Sequence, residues 1–267
     1  MSYLDALPEQ YRLILCDIWG VVHDGVALYP GAAQRLQGWR REGRTIILIT
    51  NAPRPADAVE AQLGRIGLPR DAWDAISTSG EAGIAALKSL GQPVGFLGTR
   101  DDRENLAAHG VDFASDDTFH HLACTGLDDE RGRVEDYRSE LQVWAKHGVV
   151  LHCLNPDRIV VRGEVSEPCA GALADIYEGL GGTVEWYGKP YPAIYRHASS
   201  QGGNPPSATV LAIGDALQTD MLGAARMGFD AVFVAGGIHR GEAFPADFAV
   251  SNGVCDWAPL AVVDGLG

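Results

Sequence analysis

Four short stretches of the sequence place polar side chains where predicted strands end. They are LILCD with Asp17, IILITN with Thr50 and Asn51, YGKP with Lys189, and LAIGDALQTD with Asp215 and Asp220. In open parallel sheets, ligands bind at the carboxyl ends of the strands. We therefore treat these side chains as candidates for one shared site.

The residue types in these stretches favour carboxylate and phosphoryl chemistry. Asp17 is a candidate nucleophile, because a carboxylate can attack phosphorus or carbon and form a covalent ester. Asp17 and Asp215, with Asp220 as a third candidate, offer the hard oxygen ligands that Mg²⁺ binds. The Thr50 hydroxyl and nearby backbone N–H groups can bind phosphoryl oxygens, and Lys189 can neutralise charge on the carboxylates and on a transferring group. The stretches together predict a Mg²⁺-dependent phosphoryl-transfer site.

Strand and helix patterns alternate around these residues. The run Thr45–Thr50 is apolar on both faces, which is typical of a buried parallel strand, and glycines at Gly43 and Gly67 lie where helices should end. The same alternation returns near the carboxyl end of the chain, where we predict helices over 192–200 and 218–227. This pattern predicts an α/β protein with a doubly wound parallel sheet.

The middle of the chain, from about Thr78 to Trp186, keeps an α/β pattern but is more polar. Because the two ends of the chain share one pattern, we predict a single core domain formed by residues 1–77 and 187–267. Residues 78–186 would then form an inserted α/β domain.

Composition narrows the class of partner. The chain has 267 residues and a formal net charge of -14. Nucleic acid and anionic membranes select basic patches, so we expect neither as a partner. A small phosphorylated metabolite stays compatible with this charge, because a metal ion and one lysine can reverse the local field. The sequence leaves open whether the chain forms a homo-oligomer.

Cysteine usage and targeting patterns point to the cytoplasm. The cysteines are scattered without a CxxC pair, so we predict reduced and mostly buried thiols rather than disulfides or a zinc site: Cys16, Cys124, Cys153, Cys169 and Cys255. The first ten residues lack the pattern of a signal peptide, and no apolar run reaches the ~18 residues that span a bilayer.

In order and spacing, the four stretches resemble the four motifs of the haloacid dehalogenase superfamily. The stretches VVHDGVALYPGAAQRL, ILITNAPR, NPDRIV, GKPYPAIY and GDALQTDMLGAARMGF resemble its class IIA branch, the NagD-like and nitrophenylphosphatase-like hydrolases. The resemblance covers nearly the whole chain. It implies a Rossmann-like core with a large α/β cap domain inserted between the second and third motifs, and a cap that contributes substrate specificity.

The resemblance also implies a function and a role for each matching residue. The function is hydrolysis of small phosphate monoesters with Mg²⁺ through an aspartyl-phosphate. The implied roles are nucleophile for Asp17, phosphate binding for Thr50 and Asn51, charge clamp for Lys189, and metal binding for Asp17, Asp215, Asp220 and the backbone carbonyl of Trp19.

One position departs from the family pattern. Phosphatases of this family usually carry a second Asp two residues after the nucleophile, which serves as general acid and base, and Trp19 stands at that position here. An indole N–H is only a hydrogen-bond donor, and loss of a general acid–base group typically costs about 10²–10⁴ in rate. The Trp19 ring is either a wall of the site or a surface on which substrate stacks. His23 and Asp24 are nearby groups that could carry the proton instead.

Two other functions compete with phosphate ester hydrolysis. Trp19 is compatible with a phospho-metabolite-binding protein whose catalysis is impaired. Cleavage of a carbon–halogen or carbon–phosphorus bond is the second alternative. The metal carboxylates argue against a dehalogenase, and neither Lys88 nor Lys146, the lysines of the predicted cap, stands in a motif that matches a Schiff-base lysine.

Overall fold

A computed structural model describes residues 2–116, 118–162, 165–236, 244–254 and 256–267. Within these residues the chain forms twelve strands: β1 (Leu13–Asp17), β2 (Thr45–Thr50), β3 (Ala75–Thr78), β4 (Gly95–Leu97), β5 (His121–Cys124), β6 (Val150–Cys153), β7 (Ile159–Arg162), β8 (Val165–Pro168), β9 (Thr183–Trp186), β10 (Val210–Gly214), β11 (Asp230–Val234) and β12 (Ala261–Val263).

The same residues form nine α-helices: α1 (Ala32–Arg41), α2 (Ala56–Ile66), α3 (Ser79–Ser89), α4 (Arg100–Ala108), α5 (Arg138–Lys146), α6 (Ala170–Gly179), α7 (Pro192–Gln201), α8 (Leu222–Met227) and α9 (Phe248–Ser251). Short 3₁₀ turns lie at Tyr3–Ala6, Arg70–Ala72, Val134–Tyr137 and Ser207–Thr209, and a π-helical turn lies at Leu217–Met221. No helix in the described part of the chain has the length and apolar character needed to cross a membrane.

The chain divides into two compact units. The first contains Met1–Thr50, Val59–Ser77 and Lys189–Gly267, and the second contains Asn51–Ala58 and Thr78–Gly188. The sequence pattern placed residues 51–58 in the core domain, whereas in the structure this segment clusters with the second unit. The amide N–H of Gly80 donates to the carbonyl of Ala52 (3.0 Å), which explains that grouping.

The first unit is built on a six-stranded sheet with the strand order β12-β11-β10-β1-β2-β3. β1 pairs in parallel with both β2 and β10, and β10 pairs in parallel with β11. All five residues of β1 are buried, which is expected for a strand that helices cover on both faces. The predicted α/β class and doubly wound parallel sheet are confirmed.

One face of this sheet packs against α7 and α8. Leu13 and Leu15 of β1 share a buried cluster with Ile194 of α7 and Leu222 of α8. The chain order reverses at the centre of the sheet, because β1 leads outward to β2 while β10 leads outward in the opposite direction. Such a reversal leaves a crevice at the carboxyl ends of the central strands, where ligands bind.

The second unit has its own parallel sheet, in the order β4-β5-β6-β9, and a separate antiparallel pair formed by β7 and β8. Its core includes Leu122, Leu151 and Leu173, which are fully buried. Four cysteines among the described residues are buried: Cys16, Cys124, Cys153 and Cys169. Cys255, predicted with them, lies outside the described residues.

The structure differs from the sequence-based helix boundaries most clearly after β10. The pattern predicted one helix over 218–227, but the chain first forms the π-helical turn Leu217–Met221 and only then α8. The amide N–H groups of Asp220 and Met221 both donate to the carbonyl of Ala216 (3.1 and 3.2 Å). Insertions of this kind occur often at functional sites, and this one contains Asp220.

Candidate active site

Asp17 and Asp215 lie at the carboxyl ends of the two central strands of the first unit. Asp17 is the last residue of β1 and Asp215 directly follows β10, and these strands are neighbours in the sheet. Both side chains are buried. Strand pairing therefore brings together two acidic residues that are almost two hundred positions apart in sequence.

Lys189 bridges Asp17 and Asp220. Its Nζ lies 2.5 Å from Oδ1 of Asp17 and 2.8 Å from Oδ1 of Asp220, and all three side chains are at most 7% exposed. Bonds between ionised groups are the strong class of hydrogen bond, and removing one partner from a buried pair leaves a charge without compensation. The ammonium therefore fixes both carboxylates in one arrangement.

Burial and neighbouring charge perturb these groups strongly. Burial, with the negative charge of Asp220 added to it, raises the pKa of the Asp17 carboxyl above its ordinary value, while the Lys189 ammonium opposes that shift. Burial by itself would lower the pKa of Lys189, but the charges of Asp17 and Asp220 outweigh it and hold that pKa well above its usual range. Lys189 is therefore positively charged at neutral pH. Perturbed groups of this kind cluster at functional sites.

Gly20 allows the loop after β1 to pass close to Asp215. Its backbone has φ +88°, in the region that favours glycine, and a Cβ atom there would overlap the Asp215 carboxylate. Any larger residue would displace either the loop or the carboxylate. The glycine in the stretch IWG is thus required by the packing of the site itself.

The acidic groups of this unit suit a hard divalent cation. Asp17, Asp215 and Asp220 each offer a carboxylate oxygen, and these oxygens lie within 4.8 Å of one another. With all groups ionised, these three carboxylates and the Lys189 ammonium carry a net charge of −2. Mg²⁺ prefers oxygen ligands and is commonly held by one or two carboxylates with water. Charge and donor type therefore both fit Mg²⁺.

Tyr195 supports the π-helical turn that carries Asp220, and the sequence patterns did not single it out. Its buried hydroxyl lies 3.2 Å from the carbonyl of Thr219 and 3.4 Å from that of Asp220. A Cβ atom on Gly223 would overlap this hydroxyl, so the tyrosine and the glycine fit only as a pair. The turn also lets the amide N–H of Ala216 donate to Oδ2 of Asp220 (3.2 Å). Both oxygens of Asp220 are thereby held.

We expect Tyr195→Phe to lower the free energy of unfolding by about 0.5–1.5 kcal/mol, the usual contribution of one hydrogen bond. We also expect Mg²⁺ to raise the melting temperature of this variant less than that of the wild type. The physical reason is that the Asp220 turn loses its support from α7. Tyr177→Phe is the matched control, because the buried Tyr177 hydroxyl donates to the carbonyl of Val149 (2.6 Å) in the second unit. Melting curves with and without Mg²⁺ decide the question, and equal Mg²⁺ effects in both variants would exclude a positioning role.

Thr50 and Asn51 have different surroundings. Thr50 ends β2, and the strand register places its neighbour Ile49 beside Asp17. The Asn51 side chain donates through Nδ2 to Oδ1 of Asp157 (2.7 Å), within the second unit. The sequence pattern did not foresee this partner for Asn51. The phosphate-binding role of both residues stays a prediction.

The loop after Asp17 is built around the Trp19 side chain. The indole packs edge-on against His23, with 5.3 Å between ring centroids and 78° between planes. Gly25 has φ +94°, and a Cβ atom there would overlap the indole ring. Trp19 is thus held by its own loop and is half-buried.

His23 and Asp24, the candidate replacement proton carriers, are both engaged in the structure of this loop. His23 is buried, its Nδ1 accepts from the amide N–H of Gly25 (2.9 Å), and burial lowers its pKa. Oδ1 of the exposed Asp24 accepts from the amides of Ala27 (2.8 Å) and Val26 (2.9 Å), which lower its pKa. These bonds stabilise a neutral imidazole and an ionised carboxylate, and neither form is a proton donor of useful strength.

The chain is similar to haloacid dehalogenase-like hydrolases in both sequence and fold. Residues 14–112 match the family model of haloacid dehalogenase-like hydrolases, and residues 186–257 match a HAD-hydrolase-like model. A crystal structure of a haloacid dehalogenase-like hydrolase from Brucella suis is 34% identical, with a TM-score of 0.84, over 99% of this chain and 98% of that one.

A further relative is similar in sequence, and a further solved structure shares the fold. The ribonucleotide monophosphatase NagD of Escherichia coli is 27% identical over 230 residues, which are 84% of this chain and 88% of that protein. The fold is shared with the 4-nitrophenylphosphatase of Thermotoga maritima, at 22% identity and a TM-score of 0.75 over 100% of this chain and 97% of that one. The chain therefore belongs to the haloacid dehalogenase-like hydrolase family, in its class IIA, NagD-like branch.

Proposed function

We propose that this chain is a Mg²⁺-dependent phosphatase of small phosphorylated metabolites that acts through a phosphorylated Asp17. The observation that carries the proposal is the buried cluster in which the Lys189 ammonium bridges Asp17 and Asp220 beside Asp215. A lysine and several carboxylates at the switch point of a parallel sheet suit phosphoryl transfer, which depends on positioning and on stabilisation of charge. The name of the relative NagD, a monophosphatase, supports the same reaction.

The reaction has two displacements at phosphorus. In the first, an Asp17 oxygen forms a bond to phosphorus while the bond to the leaving oxygen breaks. In the second, water attacks the same phosphorus, the aspartyl oxygen leaves, and inorganic phosphate is released. Lys189 holds Asp17 in position and offsets negative charge as it builds up.

Asp17, Asp215 and Asp220 would hold the cation, with the backbone carbonyl of Trp19 as a further ligand. When bound, Mg²⁺ supplies charge neutralisation and orients the phosphoryl group. Asp220 already binds Lys189 and Ala216 through its two oxygens. Asp220 would therefore contribute to the metal site while it also holds Lys189 in place.

The test is a panel of phosphate monoesters assayed with Mg²⁺ and with a chelator. We expect turnover that requires the metal. A panel without turnover would contradict the proposal. If phosphate compounds then still raise the melting temperature, the alternative of a phospho-metabolite-binding protein with impaired catalysis gains support instead.

Mg²⁺ should also raise the melting temperature without any substrate. A ligand that binds only the folded state stabilises it by RT ln(1 + [L]/Kd), which is about 2.7 kcal/mol at a hundredfold excess over Kd. We expect Asp215→Asn to lose most of this stabilisation, because a neutral amide replaces one of the three clustered carboxylates. An unchanged Mg²⁺ effect in this variant would place the metal elsewhere.

A further inference from the structure

The position two residues after Asp17 carries a side chain that donates no proton. The Trp19 indole N–H can form a hydrogen bond, but it does not transfer its proton at neutral pH. The ring is also fixed, because it packs against His23 on one side and against Gly25, where only glycine fits. The indole is therefore held in place by residues of its own loop.

The other polar groups of the same loop are committed to its structure. The imidazole Nδ1 of His23 is occupied by the amide of Gly25, and one carboxylate oxygen of Asp24 accepts two backbone N–H groups. A proton on His23 Nδ1 would face an N–H donor, and Asp24 is exposed at the turn. Within residues 18–27 neither titratable side chain is therefore arranged to protonate a leaving group.

We propose, on the basis of the function proposed above, that this site acts on phosphate compounds whose leaving group departs as a stable anion without being protonated. These are aryl and enol phosphate esters and acyl phosphates. Esters of simple alcohols are poor substrates, because the alkoxide that they release is strongly basic and needs a proton as the bond breaks.

The path of electrons and protons in the two displacements explains this preference for stable leaving groups. In the first, the bond from the Asp17 oxygen to phosphorus forms as the ester bond breaks, and the leaving oxygen keeps the electron pair. A phenolate, enolate or carboxylate delocalises that charge, whereas an alkoxide does not. In the second, the attacking water must lose a proton, which passes to a phosphoryl oxygen because a carboxylate base is missing at position 19. The second displacement is therefore slow.

When Asp17 is phosphorylated quickly and the aspartyl-phosphate is hydrolysed slowly, the first turnover releases the leaving group in a burst. With 4-nitrophenyl phosphate we expect the wild-type chain to release about one equivalent of nitrophenol rapidly and then to turn over at a lower steady rate. We also expect kcat/KM to fall steeply along a series of aryl phosphates as the phenol becomes more basic, and to be lowest for glycerol phosphate. Rapid-quench mixing and steady-state assays with Mg²⁺ measure these two quantities.

Two substitutions of Trp19 distinguish the effect of adding an acid from the effect of removing the indole ring. We expect Trp19→Asp to raise kcat/KM for glycerol phosphate by about 10²–10⁴, the usual contribution of a general acid, and to raise that for 4-nitrophenyl phosphate by less than about tenfold. Trp19→Asn removes the same ring without adding an acid and should give neither gain. Melting curves show whether each variant is folded, and the series measured with the wild-type chain decides the question if they are not.

The outcomes separate this inference from the proposed function. A shallow dependence on the leaving group in the wild-type chain, with glycerol phosphate turned over as readily as aryl phosphates, would overturn the inference and leave the phosphatase intact. Absence of turnover and of a burst with every compound would overturn both.

Discussion

Asp17→Asn is expected to lower kcat at least about 10⁴-fold. An amide does not form the covalent ester on which both displacements depend. Loss of the catalytic nucleophile has lowered kcat by up to about 10⁶-fold in other hydrolases. The fold should survive, since the asparagine Oδ1 can still accept from Lys189 Nζ. The substitution also removes one negative charge from an acidic cluster. We therefore expect stability equal to or above that of the wild type. Steady-state assays and urea unfolding measure the two effects.

Asp24→Asn is the matched control for this substitution. Asp24 is exposed on the same loop and uses one side-chain oxygen to accept two backbone amides, which an asparagine oxygen also does. Activity close to wild type in Asp24→Asn, beside inactive Asp17→Asn, would assign the chemistry to Asp17. Substantial turnover by Asp17→Asn would refute its role as nucleophile.

Lys189→Met is expected to be the most destabilising single change in the site. The ammonium is buried between Asp17 and Asp220, and removal of one partner from a buried ion pair typically costs about 3–5 kcal/mol. Activity should fall as well, because the charge that offsets the phosphoryl group is lost. Urea unfolding, with Lys146→Met on the exposed surface of α5 as control, measures the loss.

The pH dependence of this loss follows from the buried carboxylates. Burial and Asp220 raise the pKa of Asp17 in the folded state, so this carboxyl favours folding at low pH and opposes it as pH rises through the folded-state value. Without Lys189, the ionised Asp17 carboxylate opposes folding more strongly. The deficit of Lys189→Met should thus be larger at neutral pH than under mildly acidic conditions, and Mg²⁺ should reduce it. A variant as stable as wild type at neutral pH would contradict the bridging role of Lys189.

The sequence could predict the part of the site that depends on strand ends. Asp17, Thr50 and Asp215 terminate or follow apolar runs, and parallel pairing puts the ends of such runs at one edge of a sheet. The bounds of β2 were predicted to the residue, because the apolar run is flanked by polar residues on both sides. Local periodicity was sufficient for these features.

Other features depend on contacts that no local pattern encodes. The partner of Asn51 is Asp157, which lies 106 residues away and belongs to the second unit. Tyr195 looks like an ordinary core residue of α7 until the π-helical turn brings two carbonyl groups to its hydroxyl. The helical pattern of 218–227 hides that turn, in which the carbonyl of Ala216 accepts from the amides of both Asp220 and Met221. Tertiary contacts outweigh helix propensity there.

The polar groups of the loop around Trp19 could be assigned only from the structure. The sequence identified the missing acid and left His23 and Asp24 as candidate substitutes. The structure assigns both to bonds within the loop and packs the indole against His23 and Gly25. Neither His23 nor Asp24 therefore replaces the acid, and this is why we infer substrates that react without one.

The most direct measurement is the chemical trapping of phosphorylated Asp17. The chain is mixed with Mg²⁺ and 4-nitrophenyl phosphate, quenched in acid during the burst, and treated with borohydride, which reduces an acyl phosphate of aspartate to homoserine. Mass spectrometry of the peptide that contains β1 then locates the change. We expect homoserine at position 17, and none in Asp17→Asn. Active chain without homoserine at position 17, or with it at another aspartate, would contradict the central claim.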